Sequence, residues 1–350
     1  MNNTTVNSSK PHAANQKINI TVLTDCEADD YLAIFMLLHV LGPHVNFKFI
    51  VTAWQNVEEK AMVFKKILTA NKWTFPVYYG LPTKKQYEVS SLEAAVLGDS
   101  SGDINGFVTL YDPTSAFENA DIIVCMSPPL ELIDAFNKSQ NIFAEATLYL
   151  YGSFNIRQLF DLGHTRETVT LLLGAFNRCV LYETFTATGG GKNNLTDVEL
   201  LDQIDATFPA MRAISRWWNG AILTEMVEAQ KTMPWDSRQK IIDSIGANIR
   251  QIVNADCGLV NFMLCEMLDI DNSRCQIAKV SSIYFNEKGF TTAFVPGVTF
   301  PTVHVDLVKY VVEDEAARFD QQKRLYLKLL RRENMENIAQ KLLVDDDTDV

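Results

Sequence analysis

The segment "LTDCEADD", Leu23–Asp30, decides the fold expected of this chain, because it joins an apolar strand to an apolar helix. The preceding residues 17–24, "KINITVLT", form a β-branched run that fits a buried strand. The residues that follow, 29–42, carry apolar side chains on nearly every helical face and end at a Gly-Pro stop. Four carboxyl groups within six residues repel one another when ionised. The junction is therefore either open to water or holds a cation.

The pattern of a strand followed by a helix recurs along the chain. The further predicted elements are, in order, the strand "NFKFIVTAW", the helix "VEEKAMVFKKILTANK", the strand "FPVYYG", the strand "DIIVCMS", the helix "PLELIDAFNKS" and the strand "EATLYLYG". Such alternation predicts right-handed βαβ units. We therefore predict an α/β fold, a mostly parallel central sheet with helices on both faces, whose ligands bind beyond the carboxyl ends of the strands.

Composition and charge narrow the class of protein. The chain of 350 residues is 47% hydrophobic, enough for one large domain or two smaller ones. Its net charge of -12, with no basic run outside the C-terminal helix, argues against nucleic acid as a partner. Six cysteines without a CxxC pair, and an N-terminus without a signal pattern, predict reduced thiols in the cytoplasm. No apolar run reaches the roughly 18 residues of a membrane span, so we expect no membrane partner.

The acidic cluster has several readings. An EF-hand loop is excluded, because Asp30 stands where that loop needs glycine and Met36 where it needs glutamate. A phosphoaspartate nucleophile at Asp25 would carry a second aspartate two residues on, where this chain has Glu27. Asp29 and Asp30 could simply favour the helix N-terminus. Alternatively, Asp25 at the strand tip and Asp30 in the first helical turn converge on Ca²⁺ or Mg²⁺.

In the order of its motifs the chain resembles the nucleoside hydrolase family. The first strand of that family ends in DxDPGxDD, and "LTDCEADD" is similar, with Asp25, Asp29 and Asp30 as the later acids, Leu23 at the first acid and Cys26-Glu27 at Pro-Gly. Further landmarks follow in order: "TAWQNVEEKA", "TFPVYYG", Asn105-Gly106, "SPPLEL", "LYGSF" and "NADCGLVNFML". The resemblance covers residues 17–331. We therefore expect a disordered tail over 1–16, a nucleoside hydrolase-like domain over 17–331, and the end of a terminal helix with an acidic tail over 332–350.

The resemblance implies two groups of site residues and a small-molecule riboside as the partner. Ca²⁺ would be held by Asp25, Asp30, the backbone carbonyl of Ser127 and Asp256. Ribose hydroxyls would be bound by Asp29, Asn56 and, after a shortened loop, Asn155. Asp25 would also act as the base that activates water.

Hydrolysis of an N-ribosidic bond needs an activated water, bound 2'- and 3'-hydroxyls and often an acid for the departing base. Ala255 stands where the family often has that acid, a histidine, and none of the five histidines is an evident replacement. Two functions follow: a Ca²⁺-dependent N-ribohydrolase acting on nucleosides or related ribosides, or an inactive relative with a binding, structural or assembly role. The amphipathic terminal helix would pack on the domain or on a partner, so a homo-oligomer stays open.

Overall fold

The structure is a computed structural model, and it describes residues 17–26, 28–42, 44–52, 57–70, 72–81, 108–182, 194–195, 252–253, 255–270, 275–280, 284–285, 291–292, 304–310 and 324. The predicted tail 1–16, the predicted C-terminal segment 332–350 and the predicted ribose ligand Asn56 lie outside the described residues. For Asp29 and Ala255 the backbone is described and the side chain is not.

Helices and strands alternate over most of the described residues between 17 and 182, as predicted. The strands are β1 Ile18–Thr24, β2 Val45–Val51, β3 Val77–Tyr79, β4 Thr109–Leu110, β5 Ile122–Cys125, β6 Thr147–Tyr151, β7 Arg178–Tyr182, β8 Asn194–Leu195, β9 Ile252–Val253, β10 Cys275–Val280, β11 Tyr284–Phe285, β12 Thr291–Thr292 and β13 Val305–Tyr310. The helices are α1 Ala28–Leu41, α2 Val57–Ala70, α3 Pro113–Phe117, α4 Leu130–Lys138, α5 Ser153–Asp161, α6 Arg166–Gly174 and α7 Ala255–Met267.

Nine of the described strands form a single sheet in the order β10-β13-β7-β6-β5-β1-β2-β3-β4. Neighbouring strands are parallel throughout, except that β10 runs antiparallel to β13 at one edge. The two remaining pairs, β8 with β9 and β11 with β12, are short antiparallel ribbons. The prediction of a mostly parallel α/β fold is confirmed.

Two apolar layers cover the two faces of the sheet. On one face α1, α2 and α7 pack on strand residues such as Val22 and Phe49. On the other face α3 to α6 pack on the strand residues that come next in the sequence, such as Leu23 and Ile50. Adjacent strand residues alternate between the layers, because successive side chains of a strand point to opposite faces. This double burial explains why the strands are almost continuously apolar.

The hydrogen bonds of the sheet continue one residue beyond the carboxyl ends of the strands. Four backbone bonds show this: Met126 N to Leu23 O at 3.0 Å, Thr52 N to Thr24 O at 2.7 Å, Gly80 N to Val51 O at 2.8 Å and Gly152 N to Tyr182 O at 2.8 Å. The turns that follow β2, β3, β5 and β6 are therefore held to the strands beside them. This edge, which we call the carboxyl edge, is where parallel α/β sheets bind ligands.

Candidate functional site

The turn between β1 and α1 is closed by the hydroxyl group of Thr24. The backbone N–H of Cys26 donates to Thr24 Oγ1 at 3.0 Å, and that hydroxyl donates to Asp30 Oδ1 at 2.5 Å. Asp30 is buried in the first turn of α1, where a negative charge also interacts favourably with the helix dipole. Asp30 therefore has a structural role in this turn, whatever else it binds.

Cys26 has a φ of 59°, in the left-handed region that few residues other than glycine adopt. The motif that this segment resembles has proline at the same position, and proline is fixed near a φ of -65°. The backbone of this chain therefore cannot follow the path that the Pro-Gly motif would impose. The substitution of Cys26 for proline thus changes the shape of the turn as well as its side chain.

Lys60 brings a positive charge to this acidic junction. Its ammonium group, on α2, donates to the backbone carbonyl of Asp25 at 3.0 Å. Burial raises the pKa of the Cys26 thiol far above its usual value, the charge of Asp30 raises it further, and Lys60 acts in the opposite direction. Part of the negative charge at the junction is thus offset by the protein itself.

The turn after β5 presents Ser127, which is fully buried. Its carbonyl accepts a hydrogen bond from the Cys125 thiol at 3.1 Å, while its hydroxyl forms none within the described residues. Burial raises the pKa of the Cys125 thiol, and the charges of Glu131, Asp256 and Asp25 raise it as well. Asp25 and Asp256, which are far apart in sequence, therefore both lie within electrostatic range of this turn.

Asp256 reaches the carboxyl edge because α7 packs closely on the end of β7. A Cβ atom added to Gly258 would lie 2.8 Å from the hydroxyl oxygen of Tyr182, so a larger residue would require the Tyr182 ring or the helix to shift. Asp256, two residues earlier in the first turn of α7, is buried. Glycine at 258 thus brings the N-terminus of α7 to the sheet.

Asn155, in the first turn of α5, is also buried at this edge. Its Nδ2 atom donates to the carbonyl of Met126 at 2.9 Å and to that of Tyr151 at 3.0 Å. The amide group therefore ties the end of β5 to the end of β6. Its predicted contact with ribose stays a prediction, and in this conformation the contact would fall to Oδ1.

Glu131 was not among the residues that the sequence singled out. Its side chain is fully buried in the first turn of α4, and its Oε1 accepts from the backbone N–H of Leu81 at 2.8 Å. Burial raises its pKa from 4.5 to about 7. In the sequence Glu131 resembles any acidic residue that favours the N-terminus of a helix. Only its burial in the structure distinguishes it from such a residue.

The predicted ion ligands Asp25, Asp30, Ser127 and Asp256 all lie at the carboxyl edge. Their oxygen atoms are of the type that Ca²⁺ prefers. The described residues nevertheless contain no group of three or more His, Cys, Asp or Glu side chains placed to hold a metal ion. The donors therefore fit a hard cation chemically, and a preformed carboxylate cage is not found among the described residues.

None of the described helices is long and apolar enough to cross a membrane.

Comparison with solved structures supports the fold. The chain is similar to an inosine-guanosine nucleoside hydrolase, with a TM-score of 0.55, 13% sequence identity, and coverage of 89% of this chain and 99% of that chain. A malate dehydrogenase from Plasmodium falciparum also matches, at 12% identity over 93% of this chain and 100% of that chain, but its TM-score of 0.24 carries no structural argument. No family model matches the sequence, and no curated protein matches it. The likeness thus extends to a nucleoside hydrolase-like fold.

Proposed function

We propose that this protein is an N-ribohydrolase that cleaves the N-glycosidic bond of nucleosides or related ribosides, with dependence on Ca²⁺. The observation that supports the proposal is that Asp25 after β1, Asp30 in the first turn of α1 and Asp256 in the first turn of α7 all lie at the carboxyl edge. The charges of Asp25 and Asp30 act on Cys26, and those of Asp25 and Asp256 act on Cys125. Ionised carboxyl groups at one edge of a sheet repel one another, and a cationic ligand would compensate their charge. The similar fold of a nucleoside hydrolase makes a riboside the natural ligand to test.

The proposed roles are those that the resemblance to the nucleoside hydrolase family implies. Asp25, which is partly exposed beyond the end of β1, would take a proton from the attacking water. Asp29, Asn56 and Asn155 would bind hydroxyl groups of the ribose. Asp25, Asp30, the Ser127 carbonyl and Asp256 would hold Ca²⁺, which when bound lowers the pKa of a water molecule and orients it.

A second function, binding of a riboside without cleavage, is favoured by one observation. Lys60 already places an ammonium group 3.0 Å from the carbonyl oxygen of Asp25, at the junction where the ion would bind. A charge held there permanently by the protein would stabilise the acidic cluster without a metal. In that case the fold would keep the sugar site and lose the activated water.

The test is hydrolysis of a p-nitrophenyl riboside, inosine and uridine, with calcium and with EDTA. We expect the activated riboside to be cleaved fastest, because p-nitrophenolate departs without a proton and Ala255 cannot supply one. General acid catalysis is typically worth about 10²- to 10⁴-fold, so Ala255→His should narrow the gap for inosine. Turnover that is equal for all three substrates would show that another residue is the acid.

The matched control is the pair Asp29→Ala and Asp256→Ala, because the two residues are assigned to different ligands. Asp256→Ala should abolish the rise in melting temperature that calcium gives the wild type, and Asp29→Ala should keep that rise and lose riboside binding. If calcium does not raise the melting temperature of the wild type, the proposal of an ion site is wrong. If no riboside is cleaved but inosine still binds, the second function replaces the first.

A further inference from the structure

Glu131 is a buried carboxyl group that neither proposed function uses. It is 0% exposed, and its Oε2 atom forms no hydrogen bond within the described part of the chain. The other oxygen, Oε1, accepts from the N–H of Leu81, which lies just beyond β3. The carboxyl group thus connects the first turn of α4 with the end of a strand three places away from β5 in the sheet.

The contact with the end of β3 is close enough to require glycine. A Cβ atom added to Gly80 would lie 2.1 Å from Glu131 Oε1 and 3.1 Å from the carbonyl oxygen of Val51. The backbone N–H of Gly80 donates to that same carbonyl at 2.8 Å. The chain after β3 is therefore held between the end of β2 and the carboxyl group of Glu131.

A second bond ties the end of β4 to the same residue. The hydroxyl group of Tyr111, directly after β4, donates to the backbone carbonyl of Glu131 at 2.7 Å. Glu131 therefore holds the carboxyl ends of both β3 and β4 against the turn that carries Ser127, four residues earlier. A displacement of this residue would shift that turn relative to the carboxyl edge.

We propose that Glu131 is a positioning residue of the candidate site, which holds the ends of β3 and β4 against the Ser127 turn as a neutral, protonated carboxylic acid. The effect of Glu131 on catalysis rests on the proposed function. Its effect on the structure rests on the contacts of Glu131 alone. An ionised carboxylate would leave Oε2 charged in the interior with no hydrogen-bond partner among the residues that the structure describes, which is unfavourable. A protonated group carries no charge there: its Oε1 still accepts from the N–H of Leu81, and an unpaired O–H costs less in the interior than an unpaired charge.

The surrounding groups agree with a neutral carboxyl. Within the described parts of the chain, the titratable groups that interact with it are Asp134 on α4, Tyr111 after β4 and Cys125 on β5, and none of these is a cation. Lys138, on the same helix, is paired with Asp134 at 2.8 Å. Burial raises the pKa of Glu131 to about 7, against the hydrogen bonds from the backbone N–H groups of Leu81 and of Glu131 itself, and the charge of Asp134 acts in the same direction as burial.

The first test uses a double-mutant cycle on the full chain, with Gly80→Ala, Glu131→Ala and the combined variant. Gly80→Ala alone should lower the melting temperature by several degrees, because its Cβ would displace the carboxyl group. In the Glu131→Ala background the same change should cost much less, because the obstructing atom has gone. If the two substitutions lower the melting temperature additively, the side chains at positions 80 and 131 do not interact, and the positioning role is wrong.

The second test compares the pH dependence of stability in the wild type and Glu131→Gln. The native state binds the proton more tightly than the unfolded state, so this contribution is complete below pH 4.5 and is lost as the pH rises through about 7. Glutamine can accept from Leu81 and never ionises. The melting temperature of the wild type, relative to that of Glu131→Gln, should therefore fall between pH 5 and pH 8. If the melting temperatures of the two proteins change with pH in parallel, the proposal of a neutral carboxyl group at Glu131 is wrong.

The third readout separates this inference from the proposed function. If the protein hydrolyses ribosides, Glu131→Ala should lower kcat/KM by about 10²-fold, the size expected from a displacement of about 1 Å, and Glu131→Gln should retain most of it at pH 6. Wild-type activity in Glu131→Ala would overturn the positioning role and leave the hydrolase standing. Absence of hydrolysis in the wild type would defeat the hydrolase, and the first two tests would still decide the role of Glu131.

Discussion

Cys26 occupies a backbone conformation that costs a residue with a side chain roughly 1–2 kcal/mol. The hydrogen bond from its N–H to Thr24 Oγ1 offsets part of this cost, and so does the burial of its thiol group. The same hydroxyl of Thr24 binds Asp30, so the conformation of one residue determines how the strand is joined to the helix. The turn is thus specific to this sequence.

Cys26→Pro should therefore destabilise the protein, even though it restores the proline of the motif that the segment resembles. Proline cannot adopt a φ of 59°, and it has no N–H to donate to Thr24. We expect a loss of about 3 kcal/mol or more in the free energy of unfolding, measured by urea denaturation. Cys26→Gly is the control, because it keeps the N–H and tolerates the φ, and it should lose less than half as much. An unchanged midpoint for the proline variant would show that the turn rearranges freely.

The sequence was enough to propose the charged residues of the candidate site, and it did not indicate which of them are buried. Asp25 and Asp30 follow from their position between an apolar strand and an apolar helix, and Asp256 follows from a resemblance of motifs. Glu131 could not be identified, because its burial depends on Gly80 and Leu81, which are far from it in sequence. The structural bonds of Asn155 were missed for the same reason, since one acceptor, Met126, belongs to the neighbouring strand's turn.

At the scale of the elements, Arg178 joins three of them at the end of the sheet opposite the site. It starts β7, and its Nε donates to Asp306 on β13 at 2.8 Å while its Nη2 donates to Glu266 on α7 at 2.9 Å. Glu266 lies in the last turn of α7, where a negative charge is unfavourable to the helix dipole. The hydroxyl of Tyr149 donates to the same carboxylate at 2.9 Å. The arginine thus compensates two acids that would otherwise repel each other.

Arg178→Met should accordingly cost about 1–3 kcal/mol of unfolding free energy, since the pairs are only partly buried and a charge-assisted bond contributes on that scale. Urea denaturation at low salt measures the loss. Arg178→Lys should recover only part of it, because one ammonium group cannot reproduce the planar fork of a guanidinium. Glu266→Gln in the Arg178→Met background should restore some stability. Equal stability of Arg178→Met and the wild type would mean that the network is only a surface arrangement.

At the scale of the whole molecule, local patterns predicted many elements of the first half of the fold, although β4, α3, α5 and α6 were not predicted. The strands β1, β2, β3, β5 and β6 and the helices α1, α2 and α4 each have a periodic or continuous apolar pattern, and all were predicted close to their observed bounds. The placement of β13 between β7 and β10 was not predicted, because nothing in its sequence indicates a partner so far away. Pairing over long separations is decided by the closure of the whole sheet.

The position of β13 late in the sequence has a consequence for folding during synthesis. Arg178 and Asp306, on adjoining strands, are 128 residues apart in sequence. At a synthesis rate of about 5–20 residues per second, β7 would wait on the order of ten seconds for its neighbour. During that time we expect one edge of β7 to lack the strand that pairs with it in the described sheet, and β10 to be made before the strand that it joins.

A chain that stops just before β13 should keep this edge permanently bare. We expect a fragment of residues 1–304 to self-associate at micromolar concentration, as seen by light scattering, and to be captured by holdase chaperones. A fragment of residues 1–310, which includes β13, is the matched control and should scatter far less. If both fragments behave alike, the edge is protected in another way; if they differ, six residues near the C-terminal end decide whether the newly made chain is safe from aggregation.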